Sequence, residues 1–440
     1  MEIHVDTHFD EPSQSIVIER AAARRAFNTK GVWLMRNRTA SDRFIAATRG
    51  TQRRAFYWGI CALGMTIAAS AHEPRIITFD APGAGTAQYQ GTGCFAYTDC
   101  SVLINNRGEI TGYFLDTNNV YHGFLRSREG KFTVFEAPGA DTKAEDFNGT
   151  LANGINDAGA ITGVYYDSNN NGHGFLRSPE GKFTTFDVPG GILGAMNPIA
   201  LNREAEIVGY YVAQNGVSQA FLRHSDGTFE TWSGPRACDA ASGSNACYGS
   251  GAFSINDFGT VAGGYEDDSG NLVNHGLVRS PEGKLTTFEA PGSGTGLYQG
   301  TGSPGSSVPL NQFGAIAGYY IDASNVVHGY LRAPWGEITT FDVPGEGSQG
   351  IGCYSDCSIG LNNWGAITGY YLDANNVFHG FVRSPWGNVT TFDAPGANTT
   401  PGAYSGTFPV SINDEGEITG YYLDTNNVNH GFVLLPSDDD

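Results

Sequence analysis

The chain has 440 residues, including 61 Gly, 19 Pro and 21 Tyr, and its 45 Asp and Glu against 25 Lys and Arg give a net charge of −20. This negative charge excludes a protein that binds the phosphates of a nucleic acid. The 40% hydrophobic content excludes disorder throughout the chain. A composition rich in Gly, Tyr and other strand-forming residues predicts an all-β fold with many turns.

Residues 1–71 differ from the remainder because they carry more basic than acidic side chains. Arg53 and Arg54 precede an apolar run over 55–68, and the small residues of 69–71 follow it. This order is typical of a signal peptide, which we assign to residues 51–71. The run is shorter than the roughly 20 residues of a membrane span, so we expect no span in the mature chain. An uncleaved anchor is the alternative.

The signal predicts a protein that is secreted, periplasmic or held at the cell surface. Residues 1–50 are expected to be an extension without a fold of its own, or an artefact of the start site. Beyond the signal, six cysteines form three close pairs inside Gly-rich segments, which is typical of disulfides in an oxidising compartment. The predicted disulfides are Cys94–Cys100, Cys238–Cys247 and Cys353–Cys357. Zinc binding is the alternative, although no His lies beside these cysteines.

One sequence unit recurs at a period of about 51 residues across residues 72–440. Its most regular feature is an asparagine followed three residues later by glycine. The anchoring asparagine occurs seven times, at Asn105, Asn156, Asn202, Asn256, Asn311, Asn362 and Asn413. Seven repeats are therefore predicted.

Each repeat contains four segments rich in Val, Ile, Thr, Tyr and Phe, which we label strands A to D. Strand A ends at the anchoring Asn, and strand B is similar to Ile-Thr-Gly-Tyr. An Asp-x-Asn-Asn turn leads to strand C, His-Gly-Phe-Leu-Arg, and Ser-Pro-x-Gly leads to strand D, Thr-Thr-Phe-Asp. Four-stranded antiparallel blades repeated seven times predict a seven-bladed β-propeller.

The two ends of the repeat region are complementary. The last repeat stops at Pro436, after strand C, whereas Ile76–Gly83 is a strand D with no other strand before it. We therefore expect the N-terminal strand to complete the last blade and close the ring, which removes an exposed sheet edge.

The repeated His-Gly-Phe motif resembles that of the extracellular repeat family named for a His-Ala-Phe (HAF) motif, and the similarity extends over residues 76–436. The resemblance implies exported, propeller-like bacterial proteins without an agreed activity. The motif occurs at His122, His173, His379 and His430, with Gln219-Ala220-Phe221 as a degenerate copy.

Six histidines share one position in strand C. Because strand C is third from the axis of a propeller, each imidazole should lie roughly 10 Å behind the channel wall, too far from the others to share a metal ion. We expect each imidazole to make hydrogen bonds within its own blade. The six are His122, His173, His275, His328, His379 and His430.

Two sets of acidic residues also repeat. The Asp-x-Asn-Asn turns offer oxygen ligands for calcium, but Asn in such a turn also suits a tight hairpin, so both interpretations stay open. The candidate calcium ligands are Asp116, Asn118, Asp373, Asn375, Asp424 and Asn426. A second set ends strand D, and carboxylates on separate blades are expected to cap turns rather than act in pairs. These are Asp80, Glu136, Asp187, Glu289, Asp342 and Asp393.

The connections from strand D to the next strand A vary most in length, and variable loops on a rigid scaffold often carry function. Four contain aromatic-x-Gly-Thr, whose rings could stack on a ligand or simply wedge between blades. The candidate ligand-binding residues are Tyr89, Phe147, Tyr298 and Tyr404, together with His224 and Arg236 of the divergent third repeat.

The sequence thus predicts an exported, monomeric, non-catalytic propeller that binds an extracellular polysaccharide or protein surface through its D–A loops. Calcium is the one cofactor considered, and no nucleic acid or membrane partner is expected. The chain lacks a Gly-x-Ser-x-Gly elbow, a phosphate-binding loop and a His-Glu-x-x-His motif, so no catalytic residue can be named. Two alternatives stay open: a lyase or glycan-active hydrolase with its site at the channel mouth, and a structural surface protein.

Overall fold

The computed structural model describes residues 25–27, 33–35, 74–93, 101–143, 148–238, 248–302, 307–351, 358–402 and 405–437. The chain divides into two compact units, Met1–Ala69 and Ser70–Asp440. In the first unit, β1 (Arg25–Phe27) pairs antiparallel with β2 (Trp33–Met35). The predicted signal peptide lies outside the described residues. Within them every regular element is a strand, and none is a helix of the length and apolarity that a membrane span requires.

The second unit contains the seven repeats. It begins with β3 (Arg75–Phe79) and the first repeat, β4 (Gly91–Thr92), β5 (Val102–Ile104), β6 (Ile110–Leu115), β7 (Tyr121–Arg126) and β8 (Phe132–Phe135). The second and third repeats comprise β9 (Gly149–Ile155), β10 (Ile161–Tyr166), β11 (Gly172–Arg177), β12 (Phe183–Phe186), β13 (Gly191–Leu201), β14 (Ile207–Ala213), β15 (Ser218–Arg223) and β16 (Phe229–Trp232).

The remaining strands follow the same order. The fourth and fifth repeats comprise β17 (Ser250–Ile255), β18 (Val261–Glu266), β19 (Asn274–Arg279), β20 (Leu285–Phe288), β21 (Gly300–Thr301), β22 (Ile316–Ile321), β23 (Val327–Arg332) and β24 (Ile338–Phe341). The sixth and seventh comprise β25 (Glu346–Ile351), β26 (Ile359–Leu361), β27 (Ile367–Asp373), β28 (Phe378–Arg383), β29 (Val389–Phe392), β30 (Thr407–Ile412), β31 (Ile418–Leu423) and β32 (Asn429–Leu435).

Within a repeat, the strands pair antiparallel in the order A, B, C, D. In the second repeat, β10 lies between β9 and β11, and β11 also pairs with β12. The anchoring Asn156 forms the turn between strands A and B, because its Oδ1 accepts hydrogen bonds from the backbone N–H groups of Ala158 and Ala160. The four-stranded antiparallel pattern predicted from the sequence is therefore present.

The N-terminal strand β3 pairs antiparallel with β32, from Arg75 opposite Leu435 to Phe79 opposite Gly431. It supplies the seventh repeat with the fourth strand that this repeat lacks in its own sequence. The strand order of the seventh repeat is thus the same as that of the others, although its strand D comes from the opposite end of the repeat region.

The seven anchoring asparagines form a closed cycle of hydrogen bonds. Each side-chain Nδ2 donates to the backbone oxygen of the anchoring asparagine in the next repeat, at 2.8 to 3.4 Å. The last bond returns to the first repeat, from Asn413 to Asn105 at 3.2 Å. All seven side chains are buried. One side-chain type at one repeat position thus links the seven repeats in turn.

The segment that leads to the anchoring asparagine in every repeat also lines a common cavity of about 290 Å³. Each repeat contributes at least one polar side chain to the wall. These are Ser101, Asn153, Asn197, Ser254, Ser307, Ser358 and Ser411.

The hydrophobic core lies between neighbouring sheets. Phe175 of the second repeat is fully buried and contacts Phe135 of the first, with ring centroids 6.4 Å apart. The guanidinium of Arg177 lies 5.0 Å from the Phe135 ring centroid, which adds a cation–π contact at the same junction.

The His-Gly-Phe motif follows from packing within the sheet. Gly174 is paired with Phe186 of strand D, and a Cβ on Gly174 would lie 2.4 Å from that phenylalanine ring. The next residue, Phe175, faces the opposite side and fills the core. The glycine therefore lets an aromatic ring of strand D lie flat across strand C.

Candidate binding surfaces

Every sheet has two ends with different connections. The A–B and C–D turns lie together at one end, which we call the turn end. The B–C turns and the D–A connections lie at the other, which we call the loop end. This follows from the antiparallel order of the strands.

At the loop end, six repeats hold a histidine between two carboxylates. In the sixth repeat, His379 Nδ1 lies 2.8 Å from Asp393 Oδ1, and Nε2 lies 3.6 Å from Asp373 Oδ2. In the seventh, the strand D partner comes from the N-terminal strand, with Asp80 Oδ1 2.8 Å from His430 Nδ1. The predicted hydrogen bonding of the imidazoles within their own sheets is confirmed.

The contacts of the strand D carboxylates differ from those predicted from the sequence, because these side chains were expected to cap turns. They bind the histidines because strands C and D are adjacent, so the end of strand D reaches the imidazole. Glu136 contacts His122 and also accepts a hydrogen bond of 2.8 Å from Thr150 Oγ1. Glu136 therefore connects strand C to the first strand of the following repeat, and Glu289 does the same through Thr301 at 2.9 Å.

An aromatic side chain of strand B covers each imidazole. The Tyr422 and His430 ring centroids are 5.0 Å apart, with a stacked geometry. The hydrogen bond to Asp80 raises the pKa of His430 above its ordinary value, and burial only partly offsets this. The hydrogen bond to Glu289 likewise raises the pKa of His275.

The Asp-x-Asn-Asn turns use their oxygens internally. Asp373 Oδ1 accepts backbone hydrogen bonds from Asn375 and Val377 at 2.8 and 2.9 Å, and its Oδ2 accepts one from the Asn375 side chain at 3.1 Å. Burial alone would raise the pKa of Asp373, but these bonds lower it below its ordinary value. Asn376 has a φ of 59°, the left-handed conformation expected of a tight turn.

The turns at Asp116 and Asp424 repeat this pattern, with Asn118 and Asn426 donating to the respective carboxylates. In the described part of the chain, no group of three or more His, Cys, Asp or Glu side chains is arranged to hold a metal ion. Calcium binding at these turns stays a prediction.

The aromatic-x-Gly-Thr segments form joints between repeats. Tyr89 and Tyr298 have positive φ values of 64° and 59°, and Phe147 and Tyr404 lie outside the described residues. The glycine that follows Tyr89, Gly91, pairs with Asn429 of the neighbouring repeat, and a Cβ on it would lie 2.1 Å from the Asn429 oxygen. This contact favours the wedging interpretation for the segment as a whole, while Tyr298 itself is exposed.

His224 and Arg236, which the sequence analysis grouped, lie at opposite ends of the third repeat. His224 follows strand C at the turn end, where it contacts Glu206 and Glu230 at 2.9 and 3.0 Å. Arg236 follows strand D at the loop end, where it contacts Asp268 at 2.8 Å. An antiparallel strand separates the two residues, so they cannot form one site.

One cysteine of the three predicted disulfides lies within the described residues. Cys238 is buried, and the other five cysteines of the three pairs lie outside the described residues. The pairing stays a prediction.

Among the described residues of the loop end, exposed apolar side chains concentrate in three consecutive D–A connections, those that lead into the third, fourth and fifth repeats. Most of these positions were not singled out in the sequence. They are Ile192, Leu193, Tyr248, Leu297 and Tyr298.

The turn end carries an exposed aromatic group that the sequence analysis missed. Its members occupy the third position of Asn-x-x-Gly in the fourth to sixth repeats and of the C–D turn in the fifth and sixth. We call this group the aromatic sector; it comprises Phe258, Phe313, Trp335, Trp364 and Trp386. A comparison of the repeats with one another reveals it, because charged residues are common at these positions elsewhere, namely Arg107, Glu129, Glu180, Glu204, Asp226, Glu282 and Glu415.

No family model and no curated protein matches the chain. Similar solved structures include the β-propeller domain of the Trilobed protease from Pyrococcus furiosus, at 8% identity over 82% of this chain and 96% of that one, with a TM-score of 0.47. The BP39L lectin from Burkholderia pseudomallei is similar at 9% identity over 77% and 97%, with a TM-score of 0.46. AofleA from Arthrobotrys oligospora is similar at 11% identity over 84% and 89%, with a TM-score of 0.40. The chain is thus an all-β repeat protein with β-propellers among its structural neighbours.

Proposed function

We propose that residues 72–440 form a seven-bladed β-propeller whose ring is closed by the N-terminal strand. The closed asparagine cycle through all seven repeats supports this, since each hydrogen bond joins one repeat to the next. The pairing of β3 with β32 supports closure within the last blade. The cavity lined by all seven repeats supports a common central axis.

We further propose that the protein is exported by a bacterium and acts as a monomeric, non-catalytic module that binds an extracellular ligand through its loop end. The observation that carries this proposal is the set of exposed apolar side chains in three consecutive D–A connections, including Leu193, Tyr248 and Leu297. Apolar groups clustered on a surface commonly mark an interaction site.

Of the two ligand classes predicted from the sequence, this surface favours a protein. Three of its five exposed side chains are aliphatic, and the other two are tyrosines. Apolar groups with tyrosine are typical of the buried centre of a protein interface. A site for a sugar would depend more on aromatic faces and hydrogen-bonding groups.

The enzyme alternative gains no support from the described residues. The strand D carboxylates that could serve in acid–base chemistry each bind a histidine of their own sheet, as Asp393 binds His379. Carboxylates that act as a pair on a glycoside lie about 5–10 Å apart and face a common substrate. The alternative of a structural surface protein is distinguished by the binding experiment that follows.

The test immobilises the full chain and measures capture of proteins from the surface extract of the producing bacterium, with identification by mass spectrometry. We expect one specific protein, and we expect Leu193→Asn combined with Leu297→Asn to abolish its capture. Trp386→Glu, at the opposite end, is the matched control and should leave it unchanged. Equal capture by the wild type and the loop-end variant would contradict the proposal, and capture of nothing specific would favour a structural role.

A further inference from the structure

The aromatic sector exposes large rings at the tips of turns. Phe258, Phe313, Trp335, Trp364 and Trp386 are 71, 50, 57, 43 and 72% exposed, respectively. Exposed rings of this size are costly in water unless they are covered in use. All five come from three consecutive repeats, so the sector breaks the sevenfold sequence symmetry at one side of the turn end.

The turns that carry the sector are in direct contact. The backbone N–H of Asp257 donates to Gln312 Oε1 at 2.9 Å, and the N–H of Gln312 donates to Asn363 Oδ1 at 2.8 Å. Each of these three residues immediately precedes an aromatic member. The A–B turns of the fourth, fifth and sixth repeats therefore form one continuous strip.

The C–D turns lie against the same strip. A Cβ on Gly314, which follows Phe313, would lie 3.6 Å from the Pro334 Cβ, and Pro334 precedes Trp335. In the sixth repeat, Gly365 and Pro385 bear the same relationship at 4.0 Å. Trp335 and Trp386 thus extend the strip outwards from the A–B turns.

The turn that carries Trp386 does not require its ring, whereas Trp364 Nε1 also donates a hydrogen bond of 2.8 Å to the Asp414 oxygen of the next repeat. The turn containing Trp386 closes with a hydrogen bond of 2.9 Å from Gly387 N–H to the Ser384 oxygen. The equivalent turn of the second repeat contains Glu180 and closes in the same way, from Gly181 N–H to the Ser178 oxygen at 2.9 Å. Since the turn closes in the same way with glutamate, the geometry of the turn does not account for the tryptophan.

The part of the sector that lies in the fifth and sixth repeats is nearly neutral within an acidic protein, whereas Asp257 precedes Phe258 in the fourth. In the A–B and C–D turns of the fifth and sixth repeats, Glu337 is the one charged side chain, and Trp335 Nε1 donates a hydrogen bond to it at 3.1 Å. Amide side chains fill the neighbouring positions, at Gln312, Asn363 and Asn388. Asn363 uses both of its polar atoms in contacts with Gln312 and Asp414, so Gln312 Nε2 and the Asn388 amide are the groups that face a ligand. Aromatic faces beside amides suit pyranose rings, because the sugar C–H face stacks on the ring and its hydroxyls bind the amides.

We propose that the aromatic sector binds a neutral polysaccharide. A net charge of −20 repels acidic polymers, while a cationic polymer would be attracted to the many carboxylates elsewhere and would not need this neutral surface. The site lies at the opposite end from the D–A connections and does not depend on the loop-end proposal. The protein would then hold a glycan at its turn end while its loop end stays available to another ligand.

The test is affinity electrophoresis of the full chain in gels that contain galactomannan, mixed-linkage β-glucan or polygalacturonate. We expect retardation by at least one of the two neutral polymers and none by the acidic one. Trp335→Gln combined with Trp386→Gln should weaken binding about tenfold or more. Glu180→Gln, at the same turn position of the second repeat, is the matched control and should bind as the wild type does.

A second pair, Trp335→Glu with Trp386→Glu, keeps the experiment decisive because the second repeat already folds with glutamate in this turn. Equal loss in the Gln and Glu pairs, with unchanged melting temperatures, supports stacking as the cause. Retardation by neither neutral polymer, equal retardation of wild type and the Gln pair, or retardation by polygalacturonate would overturn the proposal.

Discussion

Asn413 donates a hydrogen bond from its side-chain amide to the backbone oxygen of Asn105, which lies 308 positions earlier in the chain, at 3.2 Å. This contact is one of several that join the seventh repeat to the first, and it completes a cycle in which every anchoring asparagine binds the next. The asparagine at the strand A–B turn therefore has two roles, since its Oδ1 forms the local turn and its Nδ2 forms the junction between repeats.

Replacing a member of the cycle should destabilise the whole repeat region. Asn256 is buried, donates to the Asn311 oxygen, and accepts from the backbone N–H groups of Phe258 and Thr260. Asn256→Ala leaves three backbone groups, one of them in a buried bond, without these partners and should cost about 1–3 kcal/mol, measured by urea unfolding. Asn388→Ala, on an exposed turn, is the control and should cost much less. Equal losses would contradict a structural role for the cycle.

The glycine of the aromatic-x-Gly-Thr joint should not tolerate a side chain. Gly300 has a φ of 120°, and a Cβ on it would lie 2.1 Å from the Asn274 backbone oxygen of the neighbouring repeat. Gly302 also has a positive φ, of 86°, but nothing lies within 4 Å of its Cβ position.

We therefore expect Gly300→Ala to lower the melting temperature well below that of Gly302→Ala. Both variants bear the conformational cost of a positive φ, so the difference between them measures the clash at the junction. Similar melting temperatures for the two variants would argue against close contact between the repeats at this joint.

Stability should depend on pH through the histidine that contacts the N-terminal strand. Asp80 raises the pKa of His430 in the folded state above the ordinary value of 6.5. A raised pKa means that the charged form contributes stability that is fully present below pH 6.5 and is lost as the pH rises through the folded-state value. Asp80→Asn should therefore lower the melting temperature more at pH 5.5 than at pH 8.5. A loss that is independent of pH would contradict the ion pair.

At one buried carboxyl group, we expect a substitution to raise the stability of the protein rather than to lower it. Glu266 is fully buried, and this burial raises its pKa to about 7. Because the folded-state pKa lies above the ordinary value, ionisation costs stability increasingly as the pH rises above 4.5 and through 7.

Glu266→Gln removes this cost while it keeps an oxygen that can accept the backbone N–H of Tyr248, which lies 2.7 Å from Glu266 Oε2. The variant should be more stable than the wild type at pH 8.5, by about 1–3 kcal/mol, and close to it at pH 5. Chemical unfolding at both pH values provides the measurement. A variant that is less stable at pH 8.5 would show that the ionised carboxylate has a partner that stabilises it.

Much of the fold could be predicted from the sequence because each element has a local cause. Strand A ends where the anchoring asparagine folds back on its own backbone, and Asn376 adopts the positive φ that its turn requires. The complementary ends of the repeat region likewise predicted a partnership that β3 and β32 display. The sequence predicted that the histidines make hydrogen bonds within their own sheet, but it did not predict their partners. The partner of His430, Asp80, lies 350 positions away in the chain.

The candidate site was harder to predict because it depends on differences between repeats rather than on their common pattern. The consensus turn contains glutamate, so the two tryptophans that replace it, Trp335 and Trp386, were overlooked in the shared motif. His224 and Arg236 were grouped because they are close in sequence, but the antiparallel strand between them places them at opposite ends of the sheet. Both cases show that position along a strand decides which residues can share a surface.

The central claim is that the two ends of the repeats bind different ligands, and one preparation can test it. The full chain, the Trp335→Gln and Trp386→Gln pair, and the Leu193→Asn and Leu297→Asn pair are compared for retardation by the neutral polysaccharide and for capture of the surface protein. The account predicts that the tryptophan pair loses only the polysaccharide and that the leucine pair loses only the protein. Loss of both ligands in either variant, or of neither in both, would contradict it.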